Sequence, residues 1–276
     1  MGLIVFVDPS RKRCQAMKTA GFDPDLTGAQ WTLTEPLLPA PHRLGRPRTP
    51  LRQVVDALLY LIKSGCPWRL LPKNFPPWKT VHHCFWQWSR GPILSGVNDR
   101  LRALVRGSAG KRGRPTAAAL DRQTVRSEAH GGAVGHDPGK RAKGRKRFLW
   151  VATLGMILGA AGVPANETER AGAKVLWKPL LKWFPWRRKI WVDSGYRGPD
   201  FAAWVRGPRP KLEIEVIKRA DDLRGSHVLP KRWLVERAFA WLVQDRRLAR
   251  DCEQTESSAT GLIHVAMTRL MIRRLA

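Results

Sequence analysis

The feature that most constrains this chain is the order of its hydrophobic rhythms after residue 117. "AALDRQTV" alternates like a strand, and "RFLWVATLGMILGAAGV" reads as a hairpin turning at Leu154 and Gly155. "ETERAGAKVLWKPLLKWF" has the period of an amphipathic helix, "KIWVD" is a fourth strand, and "PDFAAWV" is a short helix. "LEIEVIK" supplies a fifth strand and "KRWLVERAFAWLVQDRRLA" a long helix. Three strands, then helix and strand in alternation, predict a mixed sheet with helices packed on it.

The residues before this region are helical in pattern. In "LTGAQWTLTEPLLP", Thr27 is a cap candidate and prolines end the apolar run. In "LRQVVDALLYLIKSG", Val54, Val55, Leu58, Leu59 and Ile62 follow helical spacing, and Gly65 stands where a C-terminal cap belongs. A third helix is predicted from Thr80, with Val81, Cys84, Phe85 and Trp88 on one side and His82, His83, Gln87 and Arg90 on the other. Such a helix fits a helix-turn-helix reader of the major groove. It equally fits a small helical bundle with a solvated face, and the residues alone leave both open. "PAPHRLGRPRTP" and "GSAGKRGRPTA" read as loops, giving an extension at 1–21, a helical domain at 22–106, a linker at 107–117 and a sheet domain at 118–276.

Lys and Arg number 50 against 22 Asp and Glu, a net charge of +28 spread along the chain. A polyanion is the expected partner, with nucleic acid first, because neutralised phosphates release their counterions. No apolar run of about 18 residues is present, so a membrane partner is not expected. Cys14, Cys66, Cys84 and Cys252 form no metal-binding or disulfide pattern, which fits a reducing cytoplasm. The densest basic stretch, "GKRAKGRKR", carries Lys140, Arg141, Lys143, Arg145, Lys146 and Arg147 and is predicted to track DNA phosphates, unless it is a solvated loop.

Three acids stand apart from this basic background. Asp121 lies in the first strand of the sheet region and Asp193 ends the fourth, and in such a sheet these strands are expected to be neighbours. Two adjacent carboxylates resist ionisation unless a cation lies between them, and a hard dication such as magnesium takes oxygen ligands. Glu236 has Arg232, Trp233, Phe239 and Ala240 one turn away, so it is expected to emerge from a mostly apolar stripe. Each acid also has an ordinary reading: an Asp after a strand forms turns or caps helices, and Glu236 has a partner in Arg232.

The order of elements is that of a ribonuclease-H-like fold, and the motifs narrow it further. The chain resembles bacterial DDE transposases of the insertion-sequence-five group over about residues 22–275. The resemblance rests on "GRPRTPLRQVVDALLYLIKSGCPWRLLPKNFPPWKTVHHCFWQW", "LDRQTVR", "GHDPGKRAKGRKRFL", "VDSGYRG" and "RWLVERAFAWLVQDRRLARDCE". It implies an N-terminal DNA-binding module and a catalytic triad of Asp121, Asp193 and Glu236. It also implies two magnesium ions, with manganese as a substitute, and double-stranded DNA as both transposon end and target. A homo-oligomer working on DNA in the bacterial cytoplasm follows from the same likeness. The family's Arg-x-x-x-Glu signature is Arg232 and Glu236. The chain departs from the pattern at Arg122, Ala152, Leu229 and Val243, and Arg246 or Arg247 is expected to take the basic role lost at Val243.

Overall fold

The computed structural model describes residues 25–40, 48–128, 132–186, 188–196, 198–207, 211–217 and 231–276. The predicted extension at 1–21, much of the first loop and Leu229 lie outside the described residues.

Four helices come first: α1 (Gly28–Thr34), α2 (Leu51–Ser64), α3 (Trp78–Arg90) and α4 (Ile93–Ser108). Thr27 caps α1 through a capping box with Gln30, and Gly65 ends α2 at φ 74°, a left-handed geometry that suits glycine. The third helix starts at Trp78 behind Pro77 rather than at Thr80, because a proline enters a first turn without losing a needed N–H. There follow β1 (Ala117–Arg126), a short β2 (Gly135–Asp137), β3 (Ala142–Ala152), β4 (Ile157–Pro164) and α5 (Glu169–Trp183). The chain continues through β5 (Lys189–Val192), α6 (Pro199–Arg206), β6 (Glu213–Val216), α7 (Trp233–Val243), α8 (Arg246–Ala249) and α9 (Glu256–Leu275).

The sheet runs β4-β3-β1-β5-β6, with β2 pairing the first residues of β3. β3 is antiparallel to β1 and β4, whereas β5 and β6 run parallel to β1. This is the ribonuclease-H-like order, and it makes β1 and β5 neighbours, as the sequence leads one to expect. The β3–β4 hairpin turns through Gly155 at φ 85°. The predicted long final helix is instead two, α7 and α8, broken at Gln244 and Asp245.

Strand alternation sorts the core into two layers. Ala118, Leu120, Phe148, Trp150, Ile190 and Val192 face α5 and α6. Ala119, Leu149, Val151 and Trp191 join the other layer, with Leu234, Val235 and Phe239 of α7 and most of α9. The same layer continues into Val54, Leu58, Phe85 and Leu101 of the N-terminal helices. The twenty-residue α9 packs against α2, α3, α4 and β4 and joins the helical region to the sheet. No helix among the described residues is long and apolar enough to cross a membrane.

Candidate active site

Alternation on β1 places Asp121 on the Ala119 face, toward α7. The parallel register pairs Ala119 with Trp191. Asp121 and Asp193 each stand two residues beyond that pair, on the same face of adjoining chain segments. Asp121 is 8% exposed, and its carboxyl is pushed up to about 6, chiefly by burial and also by the negative charge of Asp193. Burial also raises the carboxyl of Asp193, with the charge of Glu169 adding to it. Each acid accepts a local backbone N–H: Arg122 N donates to Asp121 Oδ1 at 2.7 Å, and Gly195 N to Asp193 Oδ1 at 2.9 Å.

α7 brings Arg232 and Glu236 over the same edge. Arg232 Nη2 donates to Asp121 Oδ2 at 3.3 Å and lies 3.9 Å from Glu236 Oε1. A single guanidinium therefore bridges two of the three predicted acids. Glu236 does not emerge from an apolar stripe as expected: its side chain is 54% exposed, and Trp233 and Ala240 are exposed beside it. Phe239 turns inward, because a helix one layer thick on a sheet buries only the stripe facing the strands.

A fourth acid joins the site. Glu169, in the first turn of α5, pairs with Arg122 through Oε1, while its buried Oε2 has no hydrogen-bond partner. A Cβ built on Gly195 would meet Glu169 Oε2 at 1.9 Å and Asp193 Oδ1 at 3.2 Å, so glycine permits this close approach. The buried Tyr196 hydroxyl also lacks a partner, and burial and the charges of Asp121, Glu169 and Asp193 hold its proton on. Sequence reasoning missed Glu169 because an acid in a first helical turn ordinarily serves the helix dipole. Its only visible signal was a position at the start of the helix that leads into the predicted fourth strand.

The donor set suits a hard dication in kind, being carboxylate oxygens only. Among the described residues, however, no three such side chains are gathered closely enough to hold a metal as they stand. The Arg232 guanidinium, in contact with both Asp121 and Glu236, stands between two of the three acids.

The predicted DNA contacts divide sharply. Lys140, Arg141 and Lys143 are exposed around the turn into β3. Arg145, Lys146 and Arg147 are not surface residues, which corrects the phosphate track assigned to them. Arg145 is 1% exposed and binds Asp251 Oδ2 at 2.7 Å, while Lys146 and Arg147 donate to the carbonyls of Glu167 and Leu248. β3 is central and covered on both faces, so its basic side chains turn to internal acceptors. Arg247 is corrected likewise: it is buried against Glu253, with Nη2 to Oε1 at 2.5 Å, whereas Arg246 is exposed. On α3, His83, Trp86, Gln87 and Arg90 are exposed and line a cavity of about 1320 Å³ with Arg48. His82 leaves that face and meets the edge of Trp68 at a centroid distance of 4.9 Å.

Comparison with known proteins adds family evidence. The family described as "Putative transposase of IS4/5 family" matches residues 26–98, and the one described as "Transposase DDE domain" matches residues 112–271. An uncharacterized protein, y4sN of Sinorhizobium fredii (strain NBRC 101917 / NGR234), is 30% identical over 124 residues, 44% of this chain and 89% of that protein. Among solved structures, the crystal structure of the Mos1 strand transfer complex is similar over 86% of this chain and 78% of that one. Its identity is 11% and its TM-score 0.31.

Proposed function

The chain belongs to the DDE transposases of the IS4/5 family, and on that premise we propose that it binds the inverted repeats ending an insertion sequence, cuts them, and joins them to target DNA. The observation that carries this reading is the placement of Asp121 and Asp193 on one face of neighbouring strands, with Glu236 on the helix above. Asp121 is buried and the negative charge of half-buried Asp193 makes its ionisation costlier, a cost that a cation between the two would relieve.

Asp121, Asp193 and Glu236 would hold two divalent ions, magnesium or manganese, which supply positive charge at the attacking and leaving oxygens of a phosphodiester. The protein's own groups orient the strand. Arg232, released from Asp121, would grip a non-bridging phosphate oxygen. Arg122 holds Glu169 against the loop that carries Asp193. Water attacks phosphorus in line, the P–O3′ bond breaks, and a 3′ hydroxyl and a 5′ phosphate result. That hydroxyl then attacks a target phosphodiester, whose own 3′ oxygen leaves with the proton. No side chain is covalently modified, so Ser194 and Tyr196 have no nucleophilic part. Gln87 and Arg90 of α3, with His83, are the proposed reading face, and Lys140, Arg141, Lys143 and Arg246 are proposed phosphate contacts. The work is placed in the bacterial cytoplasm, by a homo-oligomer assembled on DNA.

The test incubates the full chain with a labelled terminal repeat, a target plasmid and magnesium. Metal-dependent nicking followed by joined product is expected, with both lost in Asp193→Asn. Nicking without joining would make the protein a nuclease. Binding without nicking would make it a DNA-bound regulator.

A further inference from the structure

At the end of the sheet opposite the carboxylates lies a second basic site with a different chemistry. A cavity of about 890 Å³ opens where Thr116, just before β1, and Arg188, just before β5, leave the strands and meet the end of α5. Arg100, Arg112, Arg114 and Arg188 line it and are all exposed, together with exposed Trp183 and half-buried Trp186. Its one lining acid is Asp99, and Arg102 takes that carboxylate at 2.7 Å. Among the described residues no carboxylate pairs with the other four guanidinia. Arg188 and Asp193 are five positions apart, so the cavity stands roughly 16 Å from the acids at a strand's rise per residue.

The aromatic groups make this more than a solvated basic face. Arg114 lies over the Trp186 ring at 4.7 Å, and Arg102 over Phe184 at 5.0 Å, so planar cations are already stacked on planar rings. Trp183 is 43% exposed, a large apolar side chain left in water beside four uncompensated charges. The indole N–H of Trp186 is buried with no acceptor. Guanidinium groups suit phosphate, a free indole face suits a base, and an orphan donor suits a base carbonyl or phosphate oxygen. A duplex offers phosphate to the guanidinia and to the orphan donor but no free base face, because its bases are stacked within the helix. An unpaired strand offers all three.

We infer that this arginine and tryptophan cavity binds single-stranded DNA, with phosphates on Arg100, Arg112, Arg114 and Arg188 and a base against Trp183. It is separate from the reading face on α3 and from the acids. The inference holds whether or not the protein transposes, so it is tested by binding in EDTA, where no metal-dependent chemistry runs.

The full chain is titrated with a fluorescein-labelled oligothymidylate, the same strand lacking bases, and a duplex of equal length. Arg114→Glu with Arg188→Glu is expected to lower the ratio of strand to duplex affinity about tenfold. It should also reduce the salt slope for the strand by about 1.4, for two lost phosphates. Trp183→Ala should weaken the oligothymidylate about fivefold and leave the abasic strand unchanged. In the unmutated chain, a strand carrying 5-iododeoxyuridine should photo-crosslink to the peptide holding Trp183 and Trp186. An unchanged affinity ratio in the double variant, equal weakening of the abasic strand by Trp183→Ala, or crosslinks confined to α3 would each overturn the inference.

Discussion

Arg145→Met separates the structural account of the basic stretch from a DNA-contact account. The guanidinium of Arg145 is 2.7 Å from Asp251 Oδ2, and it also donates to the carbonyls of Glu253 at 2.6 Å, Gln254 at 2.9 Å and Ala133 at 3.0 Å. Both charged side chains are 1% exposed. Removing one partner of a buried pair costs about 3–5 kcal/mol, because the other charge stays desolvated. The three carbonyls that lose a donor add about 1 kcal/mol each where water cannot reach them. Methionine keeps most of the packing of the arginine stem, and Glu253 N still donates to Asp251 Oδ1, so the expectation is the lower end of that sum, about 6 kcal/mol. That is a large share of the roughly 5–15 kcal/mol available to a folded domain. Urea unfolding followed by tryptophan fluorescence reads the loss. Adding Asp251→Asn should recover part of it, since the stranded charge is gone. A loss under about 1 kcal/mol, joined to a fall of about 0.9 in the salt slope for duplex binding, would refute the burial argument and restore Arg145 as a phosphate contact.

Other outcomes follow from the same geometry. Arg232→Gln should bind manganese about tenfold more tightly than the unmutated chain, read by electron paramagnetic resonance, because the internal cation no longer competes for Asp121 and Glu236. Its strand cleavage should nonetheless fall, since the phosphate grip is lost. Burial and the nearby Arg102 charge lower the imidazolium of His264 to about 4, and its Nδ1 has no partner. The unfolded chain therefore takes up this proton first on acidification, so His264 contributes stability that is full above pH 6.5 and lost as the pH falls toward 4. The gap between His264→Gln and the unmutated chain should shift by about 3 kcal/mol across that window in urea melts. Gly261→Ala would place a Cβ 2.7 Å from Ser89 Cβ and 3.0 Å from Phe85 Cζ, where α9 crosses α3. A stability loss of about 1–3 kcal/mol is expected by calorimetry.

Much of this protein was legible from local pattern. Strand alternation around Asp121 and Trp191, the turn at Gly155 and the caps at Thr27 and Gly65 depend on neighbours a few residues away. The order of strands follows from those elements, because a crossover from β1 through α5 lays β5 beside it with few alternatives. Other features were less legible. α9 leaves no helical period in the sequence, because its residues are buried nearly all round and no polar face marks it. The break between α7 and α8 is hidden in the same way, since basic residues continue through it at Asp245.

The primary order by itself determined the sheet, the edge to which Asp121 and Asp193 belong, and the excess of positive charge. Only the tertiary structure decided where each charge is spent. Arg145 and Arg114 are alike in sequence, yet one finds Asp251 inside the molecule and the other stands over Trp186 at a cavity rim. Glu169 likewise becomes part of the site only because Arg122 and Gly195 meet it from other segments. A side chain's chemistry is local, but its desolvation and its partners are set by segments far along the chain, and those decide whether it stabilises the fold or faces DNA.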